Sequence, residues 1–303
     1  MLYGIVDIGS NTVRLNVYHC EYNEINSVFS KKENLGLVFF IKNGKLTSKG
    51  IEKLLKFLKK IKKDLEYLKI NNCSFFSTAV LRNIENSDDV IQIIKDKVDI
   101  EIDLLSGEEE GELSFFGSFS NIKKDSGILI DLGGGSVEIV LFKNKKIMEK
   151  HSIPIGSLKM YNEYVSDMIP DKIESDSIKE RTHSELEIIG INNEEKIPFM
   201  CGVGGSIRTI EKILLDLNLQ KKKVDLIDVK LLKKLKKELD QNDKHTYYKI
   251  LQIKPSRIHT LVPALLILES ITSYFGCEEI QTSKNSVREG YLFKKILNRY
   301  QNV

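Results

Sequence analysis

The chain has 303 residues, of which 41% are hydrophobic and 29% are charged, a composition typical of globular proteins and not of disordered ones. Its formal net charge of +3 does not by itself indicate a nucleic-acid-binding protein. No apolar run approaches the roughly 20 residues of a membrane helix, and the start lacks the features of a signal peptide. We therefore expect a cytoplasmic protein without nucleic-acid or membrane partners. The four scattered cysteines form no C-x-x-C pair, which excludes the common zinc and redox motifs.

In the first half, the pattern predicts a hairpin, a third strand and then alternating helices and strands. The third strand is expected at "LVFFI", and the long amphipathic helix over 47–70 is expected to be capped by Thr47 or Ser48. A later helix opens with Ser87 as its expected N-cap. The other predicted elements are the strands "YGIVDIG", "TVRLNVYHC", "CSFFSTAV" and "IEIDLL" and a helix that starts at "SGEEEGEL".

The pattern resets around 121–127, and the second half repeats the plan of the first. It predicts three strands in hairpin order, a polar helical stretch over 157–190, and a strand that runs into glycines. The remaining segments are "SIRTIEKILLDL", "PALLILESITSYF" and "REGYLFKKILNRY" as helices and "CEEIQTS" as a strand. Hairpins followed by alternating strands and helices indicate an α/β protein of two domains, 1–124 and 125–287. The Lys-rich stretches at 53–69 and 220–237 are interpreted as solvated helix faces.

One phrase occurs twice, as "IVDIGSNTVRL" and as "LIDLGGGSVEI". In register, Asp7 matches Asp131, Gly9 matches Gly133, Thr12 matches Ser136 and Val13 matches Val137. In each copy a buried strand ends at an aspartate and a tight turn follows. Glycines permit that turn and leave consecutive N–H groups outward as an anion-binding nest. The residues expected to bind phosphate are Gly9, Ser10, Asn11 and Thr12 in one copy and Gly133, Gly134, Gly135 and Ser136 in the other.

A carboxylate beside a phosphate-binding turn would repel the ligand unless a cation lay between them. Mg²⁺ prefers oxygen ligands and bridges carboxylates to phosphates, so the repeat predicts a site for Mg²⁺ or Mn²⁺. The alternative is a pair of ordinary glycine-containing hairpins. Two copies in matching register favour phosphate binding.

Two further stretches carry chemistry. "LLSGEEEGEL" places three glutamates at the positive end of a helix, where they are either solvated or hold a cationic group or a water molecule. "CGVGGSIRTI" places Gly204, Gly205 and Ser206 at a helix N-terminus, which suits an anion. Close strand–helix packing through glycine explains that stretch equally well. Neither a dinucleotide-binding G-x-G-x-x-G nor a P-loop motif is present.

Five ordered motifs, "DIGSNTVRL", "STAVLRNIEN", "SGEEEGELSFFG", "DLGGGSVEI" and "GVGGSIRTI", resemble those of the exopolyphosphatase/guanosine pentaphosphate phosphohydrolase family. "SVREGYL" extends the resemblance toward the end of the chain. The resemblance implies two actin-like, ribonuclease H-like domains with a cleft between them, in the short form that lacks a further helical domain. It also implies that the final helix, 288–303, packs back on the first domain. A homodimer is a possibility that the sequence leaves open.

The same resemblance assigns roles to individual residues. It implies that Glu110 is the catalytic base with Glu109 as the neighbouring acid, and that Arg82 clamps the terminal phosphate. It implies that Asp131 and Glu138 hold the metal, with Asp7 nearby.

The leading prediction is therefore Mg²⁺-dependent release of terminal phosphate from inorganic polyphosphate. Guanosine pentaphosphate is the alternative substrate. From other classes, an actin-fold ATPase or sugar kinase and an inactive phosphate-chain sensor remain open.

Overall fold

A computed structural model describes residues 1–21, 24–191, 195–220, 226–240 and 244–300. The chain divides into two compact units, Met1–Ser106 and Gly107–Val303. This division falls before the predicted domain boundary near 124, because the helix that begins at Gly107 groups with the second unit. Parts of two predicted segments lie outside the described residues: 221–225 of the second Lys-rich stretch and 301–303 of the final helix.

The first unit is built on a five-stranded sheet in the order β3-β2-β1-β6-β7. Strands β1, β2 and β3 form antiparallel hairpins, whereas β1, β6 and β7 run parallel. A short β4–β5 ribbon and a 3₁₀ turn at Leu37–Phe40 stand apart from this sheet. The elements are β1 (Leu2–Ile8), β2 (Thr12–Glu21), β3 (Glu24–Asn34), β4 (Ile41–Lys42), β5 (Lys45–Leu46), α1 (Ser48–Tyr67), β6 (Cys73–Ser77), α2 (Ala79–Arg82), α3 (Ser87–Val98) and β7 (Ile102–Leu104).

The apolar stripe of α1 packs on the core of this unit. The periodicity predicts that Leu54, Leu58, Ile61, Leu65 and Leu68 face the core. The first four are buried, whereas Leu68 is exposed because the helix ends at Tyr67. The Thr47 hydroxyl accepts the Gly50 amide at 3.4 Å, which confirms the predicted cap. Two lysines of the polar face do more than meet solvent, since Lys53 and Lys62 donate to the backbone carbonyls of Leu35 and Val98.

Two expectations for the first unit are wrong. The third strand is β3, not "LVFFI", most of which forms the 3₁₀ turn after Gly36, a residue in the left-handed region at φ 58°. Strand β3 is exposed on both faces over 26–30, so its sequence lacks the apolar alternation that would reveal it. Ser87 is the first residue of α3, and Asn86 precedes it as the N-cap.

The second unit repeats the plan with a six-stranded sheet in the order β10-β9-β8-β11-β13-β12. Strands β8, β9 and β10 form the antiparallel hairpins, and β8, β11 and β13 run parallel. The strands are β8 (Gly127–Leu132), β9 (Val137–Lys143), β10 (Lys146–Ile153), β11 (Phe199–Val203), β12 (Leu226–Asp228) and β13 (Glu279–Thr282). The helices are α4 (Gly107–Ser118), α5 (Ser157–Tyr164), α6 (Lys172–Ile188), α7 (Gly205–Asp216), α8 (Lys230–Asp240), α9 (Lys244–Ile253), α10 (Ile258–Phe275) and α11 (Val287–Tyr291), which continues into a π-helical turn, Leu292–Ile296.

Helix α10 is the central helix of this unit's core. With the 3₁₀ turn before it, the segment Pro255–Phe275 is long and apolar enough to cross a membrane, contrary to the sequence-based expectation. However, 72% of its apolar window is buried inside the protein, which is the behaviour of a core helix. Residues of α10 such as Leu265, Leu266 and Ile267 lie in the main hydrophobic cluster with β8 and β11.

Helices α4 and α11 pack backbone against backbone. A Cβ added to Gly117 would collide with the Ser286 carbonyl, and one added to Gly290 would collide with the Leu113 carbonyl. Glycine is therefore required at both positions for this close approach. The contact explains why α4 groups with the second unit. Both units share hairpins followed by parallel strands, which confirms the predicted α/β class and the actin-like plan of each unit.

Candidate active site

The first copy of the repeated phrase forms the predicted turn between β1 and β2. The Gly9 amide donates to the Thr12 carbonyl at 3.1 Å and closes the turn. The Ser10 and Asn11 carbonyls accept the amides of Val38 and Gly36, so the segment after β3 supports the turn. The Thr12 hydroxyl, predicted to face a phosphate, donates to the Asn34 side chain at 3.0 Å.

The second copy forms the same turn between β8 and β9. The Gly133 amide donates to the Ser136 carbonyl at 3.1 Å, matching the first copy bond for bond. The first turn of α5 packs against this loop and donates hydrogen bonds to it. The Ser157 amide donates to the Gly133 carbonyl, and the Leu158 amide donates to the Gly134 carbonyl, both at 3.0 Å.

The contact between α5 and the loop determines the orientation of the loop's carbonyl and amide groups. A Cβ on Gly156 would lie 2.5 Å from the Gly134 carbon and the Gly135 nitrogen, so the two segments touch through backbone atoms. The carbonyls of Gly133 and Gly134 are held by α5. The amides of Gly134 and Gly135 donate to no backbone carbonyl within the described ranges. The loop therefore has the arrangement of an anion-binding nest.

Asp131 and Glu138 lie directly opposite each other on β8 and β9. Cross-strand partners share a face of the sheet, so the two carboxylates are neighbours. Both residues are buried, Glu138 completely. Glu138 Oε1 accepts the Ser136 hydroxyl at 2.6 Å and the Ser152 hydroxyl at 3.0 Å, and Asp131 accepts the Ser114 hydroxyl. A nearby cation would stabilise two negative charges that lie this close together.

Helix α4, which carries the predicted base, packs against this acid pair. Ser114 of α4 binds Asp131, and a Cβ on Gly111 would lie 3.3 Å from the Glu138 Cβ. Residues four apart share a helix face, so Glu110 lies on the face that carries Ser114. Glu110 is buried, with 8% of its surface exposed. The helix that carries the predicted base therefore packs against two of the three predicted metal ligands, within one unit.

The neighbouring glutamates of α4 are engaged by lysines. Glu109 Oε1 lies 2.5 Å from the Lys295 ammonium. Glu112 is held by Lys150 and by Lys294, each at 2.5 Å. Burial alone would raise the pKa of Glu112, but the two lysines outweigh it and hold that pKa below the ordinary glutamate value. The first turn of α4 is therefore anchored at Glu109.

The donor set fits a hard divalent cation. Among the described residues, no three Asp, Glu, His or Cys side chains gather as a metal site. Mg²⁺ is commonly bound by one or two carboxylates, with water and substrate phosphate completing its shell. Asp131 and Glu138 suit that role. Asp7 belongs to the other unit, where it lies opposite Arg14, and its part in metal binding stays a prediction.

The turn between β11 and α7 shows the close strand–helix packing that was one of its two interpretations, and phosphate binding by Gly204, Gly205 and Ser206 stays a prediction. Gly202 packs closely on α7, since a Cβ there would lie 3.0 Å from the Ile207 side chain. Gly204 has φ 111° and packs on the Leu132 carbonyl at the end of β8. The anion-friendly end is occupied by Arg257, whose Nη1 donates to the Ser206 hydroxyl at 3.2 Å and whose guanidinium covers Gly205.

Arg82 stands at the C-terminal end of α2 in the first unit. Its Nη1 donates to the Leu105 carbonyl at 3.0 Å, and the Leu105 amide donates to the Ser77 carbonyl. The guanidinium is thus fixed at the end of the β6 and β7 strands. A two-point phosphate clamp would have to use its remaining nitrogens.

Burial and the charge of Asp131 raise the pKa of the Cys201 thiol to about 12, which keeps it protonated. This agrees with the interpretation of the cysteines as structural. Burial and the nearby Arg288 lower the pKa of Arg208, although Asp131 partly opposes them. Two arginines are therefore close to each other in the same region as Asp131.

Sequence reasoning missed three groups at the site. Ser114 could have been found, because it lies four residues after Glu110 on the same helix face. Ser152 and Arg257 carried no motif. Each reaches the site only through strand pairing or through the packing of distant segments.

Comparisons with known proteins identify the family and the fold. A family model described as the Ppx/GppA phosphatase family matches residues 17–299. The bifunctional 3-dehydroquinate synthase/phosphatase of Fusobacterium nucleatum is 27% identical over 97% of this chain, which spans only 46% of that protein.

Solved structures share the fold. An exopolyphosphatase from Cytophaga hutchinsonii has a TM-score of 0.87 at 21% identity and covers 99% of each chain. The Ppx/GppA family member of Aquifex aeolicus has a TM-score of 0.78 at 21% identity, with 98% of each chain covered. The match to the family model extends over nearly the whole chain and includes α4 and the second hairpin. The chain belongs to the Ppx/GppA phosphatase family.

Proposed function

We propose that this phosphatase is an exopolyphosphatase that hydrolyses the terminal phosphoanhydride bond of inorganic polyphosphate with the help of Mg²⁺ or Mn²⁺. The observation that supports the proposal is the packing of α4, which carries Glu110, against the Asp131–Glu138 pair that flanks the Gly133–Gly135 loop, all within one unit. A base, an acid pair for a cation and a nest for phosphate are the parts that hydrolytic phosphoryl transfer requires.

Glu110 acts as the general base in this scheme. A carboxylate oxygen of Glu110 accepts a proton from the attacking water, which orients that water toward the terminal phosphorus. The amides of Gly134 and Gly135 bind oxygens of the phosphate chain. Arg257, which donates to Ser206 at the turn between β11 and α7, adds a positive charge to the unit that carries the site. The roles of Arg82, Asp7 and the Gly9–Thr12 turn remain predictions.

Asp131 and Glu138 would hold the divalent cation. When bound there, Mg²⁺ neutralises charge on the phosphoryl oxygens. The hydroxyls of Ser114, Ser136 and Ser152 orient the two carboxylates by donating to them. Such orienting bonds commonly matter nearly as much as the ligands themselves.

Guanosine pentaphosphate is the second candidate substrate, since the same chemistry removes its terminal phosphate. A sugar kinase fits less well, because its acceptor is a substrate hydroxyl rather than a water held by a buried glutamate. A sensor would bind the phosphate chain without needing a base. The buried Glu110, on the helix that packs against the acid pair, favours an enzyme.

Phosphate release from long polyphosphate, short polyphosphate, guanosine pentaphosphate and ATP, each with Mg²⁺ and with EDTA, tests the proposal. We expect release from polyphosphate with Mg²⁺ and none with EDTA. Preference for guanosine pentaphosphate would establish the second candidate. Transfer to a sugar or tight polyphosphate binding without turnover would contradict the proposal.

A further inference from the structure

Helix α4 has little intrinsic tendency to be a helix. Of its 12 residues, three are glycines, Gly107, Gly111 and Gly117. Glycine is the least favourable helix residue after proline. Contacts from neighbouring elements must therefore decide where the first turn of α4 lies, and with it the carboxylate of Glu110.

Several contacts hold α4 at different positions along its length. Lys295 binds Glu109, and Lys294 and Lys150 both bind Glu112. Ser114 binds Asp131, and Ser118 exchanges a hydrogen bond with Ser283 at 2.9 Å. Of these contacts, the one at Glu109 lies before Glu110 in the chain and the others lie after it. Lys295 therefore anchors the turn that leads into the proposed base.

The π-helical turn explains how two consecutive lysines reach the same side of α4. A π-helix has more residues per turn than an α-helix, so adjacent side chains diverge by a smaller angle. Each ammonium group also lies over an aromatic ring, Lys294 at 4.2 Å from the Phe116 centroid and Lys295 at 5.1 Å from that of Tyr291. The rings and the carboxylates together order both lysines.

We propose that Lys295 is a positioning residue for Glu110: it holds Glu109 and thereby fixes the first turn of α4. The inference rests on the proposed function, in which Glu110 is the base. Lys294 has no equivalent importance, because Glu112 keeps Lys150 when Lys294 is lost. The two lysines are adjacent, have the same charge and are similarly exposed, at 26% and 31%.

The ion pair between Lys295 and Glu109 is partly exposed, with 31% and 37% of the side chains accessible. Pairs of this kind contribute little to global stability. Its loss should therefore change turnover far more than melting. Small displacements of a catalytic group reduce the rate without a comparable effect on substrate binding.

The test compares Lys295→Gln, Lys295→Arg and Lys294→Gln in the full chain. We expect Lys295→Gln to lower kcat about 10-fold with KM changed less than about 2-fold, as misplacement of a base predicts. Lys295→Arg should recover most of kcat, because it keeps the charge. Lys294→Gln should stay within about 2-fold of the wild type, since Lys150 still holds Glu112.

A double-mutant cycle tests whether Lys295 acts through Glu109. If it does, Glu109→Gln, Lys295→Gln and the double variant all lose the same factor in kcat. Additive losses would overturn the inference, as would a loss confined to KM. Equal losses in Lys294→Gln and Lys295→Gln would also overturn it, because they would indicate a general attraction for polyanions.

Amide hydrogen exchange separates this inference from the proposed function. Exchange over residues 107–112 should become faster in Lys295→Gln and stay unchanged in Lys294→Gln. A wild type that releases no phosphate from any substrate would refute the proposed function. Unchanged exchange in Lys295→Gln would refute the positioning role whatever the activity of the wild type.

Discussion

The two hairpins have the same closing hydrogen bond, yet the residue opposite the aspartate differs between them. On the first hairpin, Asp7 lies opposite Arg14. On the second, Asp131 lies opposite Glu138. Asp7 therefore has a cation as its cross-strand partner, whereas Asp131 has a second carboxylate.

This difference indicates what each copy of the phrase can do. Opposite charges across two strands stabilise the sheet, whereas like charges directly opposite each other destabilise it. The second hairpin gains most from an added divalent cation. It also has the glycine loop supported by α5, and α4 packs against it at Gly111. The repeat is one fold element used twice, and the second copy carries the chemistry we propose.

The largest effect is expected from Glu110→Gln. This nearly isosteric change should lower kcat by about 10²–10⁴-fold, the usual contribution of a general base. Circular dichroism should show an unchanged fold. Glu109→Gln is the control and should lose about 10-fold, because it releases only the anchor at Lys295. The reverse order of losses would identify Glu109 as the base.

The support of the second hairpin is tested by Gly156→Ala. The added methyl would meet the Gly134 carbon and the Gly135 nitrogen at 2.5 Å, so the loop must move. We expect the free energy of unfolding to fall by about 2–3 kcal/mol, as for other overpacked sites. Chemical denaturation measures this loss. Gly9→Ala, whose nearest contact would be 3.2 Å, should cost less, and an equal cost would contradict the asymmetry.

Arg14→Glu converts the first hairpin to the acid pair of the second. Without divalent ions we expect a loss of about 1 kcal/mol, from like charges placed across two strands. Part of this loss should be recovered when Mg²⁺ is added. Arg14→Gln removes the positive charge without adding a negative one and should show no such recovery. Identical responses of both variants to Mg²⁺ in thermal melting would contradict the comparison.

The smallest effect concerns the pH dependence of stability at Glu112. Its pKa is lower in the folded state than the ordinary value of 4.5, so the carboxylate stabilises the fold above that pH. This contribution is lost as the pH falls through the folded-state pKa. The melting difference between wild type and Glu112→Gln should therefore be present near neutral pH and shrink as the pH falls below 4.5 and through the folded-state pKa. A difference independent of pH would show that the lysines do not act on its charge.

Both hairpins and most other elements could be predicted, because apolar periodicity and glycine turns are local signals. The exceptions have physical causes. Strand β3 is exposed on both faces and shows no alternation, while the apolar run "LVFFI" imitates a strand. The grouping of α4 with the second unit depends on backbone contact at Gly117 and Gly290, which no local pattern reveals.

The site was predictable to a similar degree. Asp131, the glycine loop and Glu110 belong to recognisable motifs, and the resemblance to a known family assigned their roles. The pairing of Asp131 with Glu138 follows from hairpin register, which spacing alone suggests. Lys295 and Arg257 could not be found, because each acts through a segment that is remote in sequence and joined only by packing.

The central claim is that the acid pair of the second hairpin binds a divalent cation. Isothermal titration of the wild type, Asp131→Asn, Glu138→Gln and Asp7→Asn with Mn²⁺ tests it most directly. We predict binding to the wild type, at least about 10-fold weaker binding to Asp131→Asn and to Glu138→Gln, as expected when a ligand or its orientation is lost, and a smaller change in Asp7→Asn. Unchanged affinity in Asp131→Asn, or the greatest loss in Asp7→Asn, would contradict the claim.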